Sequence, residues 1–160
     1  MSVLIDDHLL RDVLAGEADD ETRELLNSAQ LGTTNMYYVR LSRSVVAARG
    51  GQLTGGWPAS RRAALGRALL VLPEMISVVP MRSLAYRMAE LAARHRLSTL
   101  GAEAVAAAEL TGAALWVRES DDGPGIRAAC VAVGVDYHAR FVTPRRFESG
   151  SMVTASARTN

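Results

Sequence analysis

Short apolar runs alternate along this chain with longer segments of helical periodicity, and that order leaves few folds open. Val3-Leu4-Ile5 is a buried-strand pattern, followed by Leu9, Leu10, Val13 and Leu14 at helical spacing and a stop at Gly16. Asp19-Asp20-Glu21 opens a second helix, where acids complement the positive end of the helix dipole. Leu31 to Thr34 reads as a short strand, and Asn35 as the cap of a helix running from about Met36 to Ala48. The glycine-rich stretch Gly50 to Gly56 is expected to be a mobile loop. A helix from Pro58 and Ser60 to near Pro73 follows, then a strand over Ile76 to Val79, then a helix over Leu84 to Ala93. An alanine-rich helix from Ala102 to Leu110 stops at Gly112. Ala113 to Val117 is a strand, Gly125 to Val133 a helix, and Val135 to Phe141 a last strand. Strands separated by helices predict an α/β fold: a mostly parallel central sheet of about five strands, flanked by helices on both faces. One domain over residues 1–142 is expected, with a flexible tail over 143–160 where Ser, Thr, Gly and Arg replace the apolar residues.

Composition fits a globular domain, with 49% hydrophobic and 22% charged residues. A formal net charge of +1 gives no bulk attraction for nucleic acid or an anionic membrane, so any such binding needs a local patch. All 18 basic residues are arginine. Codon bias in a GC-rich genome explains that without function, while a guanidinium surface that forks onto phosphate is the other reading. The single cysteine, Cys130, excludes an intramolecular disulfide and lies in an apolar run as a core thiol. The opening residues Met1 to Asp7 do not read as a signal peptide, and no apolar stretch approaches the roughly 20 residues that span a bilayer. A cytoplasmic protein with no membrane association is therefore expected.

In a sheet of this kind, ligands collect beyond the carboxyl ends of the strands. Asp6 and Asp7 follow the first strand there, and Glu119, Asp121 and Asp122 follow the strand over 113–117. Carboxylates brought together in this way hold Mg²⁺ or Mn²⁺ through oxygen, and such ions can activate water for phosphodiester cleavage. The same residues also suit a helix cap and a solvated turn, so spacing alone leaves both roles open. His8 next to the aspartates is a further candidate ligand or a surface residue, and Trp57 a candidate partner contact.

The layout resembles the PIN-domain family. The resemblance rests on Val3-Leu4-Ile5-Asp6, on the run from Leu97 to Glu103 leading into Ala106 and Ala108, and on Gly112-Ala113 with Leu115-Trp116-Val117 and Glu119. The closing segment Ile126 to Val135 completes it, so it covers the chain to about residue 141. It implies a metal-dependent ribonuclease lineage, often a toxin of a toxin–antitoxin pair, with three or four acids holding Mg²⁺ or Mn²⁺. Carried over, it implies catalytic roles for Asp6, Glu119 and Glu103, and metal ligation by Asp6, Glu119, Asp121 and Asp122. Two positions depart from the pattern. The central acid aligns with Gly101, and the acid expected within Met36 to Arg43 is absent, because no acid lies between Glu24 and Glu74. Tyr37, Tyr38, Arg40 and Arg43 stand there instead.

Fewer carboxylates weaken the hold on a divalent ion, and a nearby arginine weakens it further while making the site receptive to phosphate. Three functions follow. One is a residual metal-dependent ribonuclease. Another is a domain that binds RNA or a nucleotide through Arg40, Arg43 and Arg118 without cleaving it. The third is a toxin-like interaction module held by an antitoxin-like protein or as a homodimer.

Overall fold

A computed structural model describes residues 1–140. The tail expected from residue 143, and the Phe141 end of the last strand, lie outside the described residues. The elements run β1 (Ser2–Ile5), α1 (Asp7–Leu14), α2 (Asp20–Ser28), β2 (Gln30–Thr34), α3 (Asn35–Val46), α4 (Gly51–Thr54), α5 (Ala59–Leu70) and β3 (Ile76–Val79). They continue with α6 (Ala85–His95), α7 (Thr99–Thr111), β4 (Ala114–Arg118), α8 (Pro124–Val133) and β5 (Tyr137–Arg140). Short 3-10 turns over Met81–Ser83 and Glu119–Asp121 precede α6 and α8.

The five strands form one all-parallel sheet in the order β3-β2-β1-β4-β5. Alternation along each strand sends successive side chains to opposite faces and divides the core in two. Val3, Ile5, Leu31, Ile76 and Trp116 point to the face covered by α1 to α5, with Leu9, Leu10, Leu41 and Leu65. Leu4, Val79, Leu115 and Val117 point to the other, covered by α6 to α8 with Met88, Leu91, Val105 and Cys130. Leu4 pairs with Gly32 across β1 and β2, and a Cβ at Gly32 would come within 2.6 Å of Leu4 Cδ2. The glycine is what lets a leucine fill that face.

Two expectations change in detail. The Ala-rich helix begins at Thr99, capped by the Ser98 hydroxyl, which accepts from the Gly101 N–H at 3.1 Å. Gly50 to Gly56 is structured: Ser44 Oγ accepts from the N–H groups of Leu53 and Thr54 at 3.1 Å and donates to the Gly50 carbonyl at 2.6 Å. Leu53 and Thr54 are buried by it, so the stretch is the packed turn α4. No helix among the described residues is long and apolar enough to cross a membrane.

Candidate functional site

The chain runs from β1 through β2 to β3 on one side of the sheet and returns through α6 and α7 on the other to place β4 beside β1. The crevice beyond the carboxyl ends of β1 and β4 is the switch point of such a sheet. Asp6 and Asp7 enter it from β1, and Arg118 to Asp121 from β4.

Asp6 is fully buried and caps α1, with Oδ1 accepting from the Leu9 N–H at 2.8 Å. Its other oxygen accepts from the backbone N–H of Arg118 and ties the ends of the two strands together. Burial pushes the Asp6 carboxyl up to about 7, against the pull of those two N–H donors and helped by the charges of Asp7 and Asp121. Both oxygens are therefore occupied by backbone.

Asp7 is also fully buried and meets Arg40 of α3. Arg40 Nε and Nη2 fork onto the two Asp7 oxygens, the Nη2 contact at 2.6 Å, and Nη2 also donates to Asp121 Oδ2. The guanidinium thus bridges the acid at the end of β1 and the acid after β4. Hydrogen bonding to Asp7 raises the Arg40 pKa above its ordinary value, which burial opposes. Tyr37, one turn earlier on α3, lies beneath Arg40 with its ring centroid 5.7 Å from the guanidinium carbon. His8 completes the group, with Nε2 3.1 Å from Ser120 Oγ, and burial lowers its pKa.

The other expected residues lie elsewhere. Glu103 is fully buried on α7 and caps α3 from outside: Oε2 accepts from the Met36 N–H at 2.8 Å, and Oε1 from Asn35 Nδ2 at 3.4 Å. Glu119 is exposed in the turn after β4, and it is Asp121, two residues on, that faces Arg40. Asp122 turns away to accept from Arg127 and from the Tyr137 hydroxyl, and the Arg127 contact holds its carboxyl below the usual range. The expected set of Asp6, Glu119, Asp121 and Asp122 is therefore not brought together. Arg118 points to Asp12, a buried acid that Arg11 also contacts. Arg43 is exposed on α3. Gly101, at the position where an acid was expected, lines a cleft of about 220 Å³ beside the site together with Tyr37, Ser98 and Asp121.

Sequence reasoning placed Asp7 at the strand end but passed over Asp12 as a participant. Asp12 lies within α1 next to the apolar positions Leu9 and Leu10 and is buried with them, which was the available signal.

One oxygen of Asp7, one nitrogen of His8 and one oxygen of Asp121 lie within 4.8 Å of one another, a spacing that suits a metal ion. Arg40 holds both carboxylates of that group, however. A divalent ion would have to take the same oxygens against a guanidinium fork and its positive charge. With Arg40 in place, the residues present do not fit Mg²⁺ or Mn²⁺.

No protein-family model matches this chain, and no curated protein matches it. Among solved structures, a chain of a toxin–antitoxin complex from Klebsiella pneumoniae has the same fold, with a TM-score of 0.53. The two are 18% identical, and the match covers 77% of this chain and 93% of that one.

Proposed function

We propose that this chain is a PIN-like module of the toxin lineage in which an arginine stands where a divalent ion would be held. On this reading it works through a protein partner of antitoxin kind and not by metal-dependent RNA cleavage. The observation that carries the reading is the Arg40 guanidinium held between Asp7 and Asp121. A cation fixed to the protein occupies oxygens of both acids without offering an open coordination position for water or phosphate. The partner half of the proposal is supported by the Klebsiella pneumoniae relative in fold, which is part of a toxin–antitoxin complex.

The second reading, a Mg²⁺- or Mn²⁺-dependent endoribonuclease, is supported by the grouping of Asp7, His8 and Asp121. It requires Arg40 to leave both carboxylates. The test is incubation of a mixed single-stranded RNA pool with Mg²⁺ or Mn²⁺, using the wild-type chain beside Asp7→Asn. Equal inertness of the two is expected. Metal-dependent cleavage by the wild type that disappears in Asp7→Asn would overturn the closed-site reading and make the acidic group a catalytic centre.

A further inference from the structure

Between Glu24 and Glu74 the chain has no acid, lysine or histidine, and it has six arginines. The stretch folds mainly into α3, α4 and α5, and α3 packs on α5: the Tyr38 hydroxyl donates to the Leu69 carbonyl, and Gly66 lies against Val45. Two of the six arginines are matched to acids, Arg40 inside the crevice and Arg61 on Glu17. Arg43, Arg49, Arg62 and Arg67 meet no carboxylate among the described residues.

Aliphatic side chains lie in the open on the same two helices. Val46 is 80% exposed and Leu70 84%, with Val39 on α3 and Val71, just past the end of α5, also exposed. Val39, Arg43 and Val46 fall four and three residues apart, which makes one stripe along α3. Arg67 and Leu70 are likewise one turn apart on α5, following the Gly66 that touches α3. The two stripes flank one helix–helix seam.

Three kinds of occupant can be compared on this chemistry. Nucleic acid would satisfy the guanidinium groups but leave the aliphatic side chains in water, and the stripes expose no aromatic ring on which a base could stack. A second copy of the chain, applied by the same face, would bring the same unpaired arginines against one another. A protein segment carrying both carboxylates and aliphatic side chains suits both features at once.

We propose that the α3–α5 face docks an acidic, amphipathic helical segment of a partner protein. The proposal rests on the reading that this chain works through a protein partner, and it names the surface and the partner's chemistry.

The test uses the full chain and a labelled peptide of about 20 residues, with leucine at helical spacing and glutamate between. Its controls are a scrambled peptide of the same composition and a labelled single-stranded RNA, all read by fluorescence polarisation. Sedimentation reports self-association. The amphipathic peptide is expected to bind more tightly than either control. The paired variants Arg43→Glu with Arg67→Glu, and Val46→Ser with Leu70→Ser, are each expected to weaken it by about tenfold or more. Since all four side chains are exposed, folding of the variants is checked by circular dichroism. Tighter binding of RNA, equal binding of the scrambled peptide, or no loss in the variants would overturn the proposal. So would self-association that Val46→Ser with Leu70→Ser abolishes, because the face would then join two copies. The two readings fail separately: metal-dependent cleavage by the wild type sinks the closed site, whereas absent peptide binding by an inert chain sinks the docking face alone.

Discussion

Replacing Arg40 by alanine leaves Asp7, fully buried, and Asp121, whose side chain is 15% exposed, with no guanidinium between them. Asp7 has no other side-chain partner among the described residues, so its charge must be neutralised by protonation or borne without compensation. Breaking one side of a buried ion pair costs about 3–5 kcal/mol. Arg40 itself keeps 34% of its side chain in water, which screens part of the interaction, so the lower end, about 3 kcal/mol, is the expected loss. For a domain of this size that lowers the melting temperature by roughly 6–12 °C.

The same variant opens the oxygens of Asp7 and Asp121, beside the His8 nitrogen, to a divalent ion. An ion that binds only the folded state adds stability as RT ln(1 + [L]/Kd), about 2.7 kcal/mol at a hundredfold excess over Kd. The assay is thermal unfolding of wild type and Arg40→Ala, each in EDTA and in Mn²⁺. The wild type is expected to melt at one temperature in both. Arg40→Ala is expected to melt lower in EDTA and to recover much of the difference in Mn²⁺. An equal Mn²⁺ response in both proteins, or an Arg40→Ala loss below about 1 kcal/mol, would refute the idea that the guanidinium substitutes for an ion here.

Three further predictions address the surrounding scaffold. Asp6 titrates near 3.8 when unfolded and at about 7 when folded, so between those values the folded state binds more protons and stability falls as pH rises. The difference between those two values corresponds to roughly 4 kcal/mol across that window, and urea titrations at several pH values should show Asp6→Asn lacking this slope relative to wild type. Glu103→Ala removes the acceptor for the Met36 N–H and leaves a void under α3, at a cost of about 2 kcal/mol in urea unfolding. Glu103→Gln keeps a carbonyl oxygen and should lose less. Gly32→Ala forces a methyl group onto Leu4 and should cost about 1–3 kcal/mol, read in the same assay.

The fold was legible because its signals are local. Val3-Leu4-Ile5, Ile76 to Val79 and the helical spacings between them depend on near neighbours, and the parallel order follows from strands that alternate with helices. What was missed depends on distant or directional contacts. The resemblance put Arg40 where an acid was expected, but its pairing with Asp7, 33 positions away, and that of Arg118 with Asp12, 106 away, carry no sequence signature. The choice between Glu119, Asp121 and Asp122 was equally hidden: a single 3-10 turn decides which acid faces the crevice, and composition cannot rank them. The glycines of 50–56 implied mobility, yet the two hydroxyls of Ser44 and Thr54, 3.1 Å apart, close that turn from inside.

The buried acids share a property that bears on what the crevice is for. Asp6 is met by two backbone N–H groups, Asp7 by Arg40, Asp12 by Arg11 and Arg118, and Glu103 by Met36 and Asn35. Each buried carboxylate among the described residues thus meets donors that belong to the chain. A site built to take an ion leaves buried carboxylates that only the ion can balance, and they stay costly until it arrives. Here the folded chain supplies most of that balance itself, through guanidinium groups at Asp7 and Asp12 and donors from α3 at Glu103, while Asp6 keeps a burial cost that its two N–H donors do not cancel. The acids consequently serve to fix β1 to β4, α1 to α3 and α7 to α3. A substitution that frees any one of them should therefore register first as lost stability, with Arg40 the position where lost stability and gained metal affinity coincide.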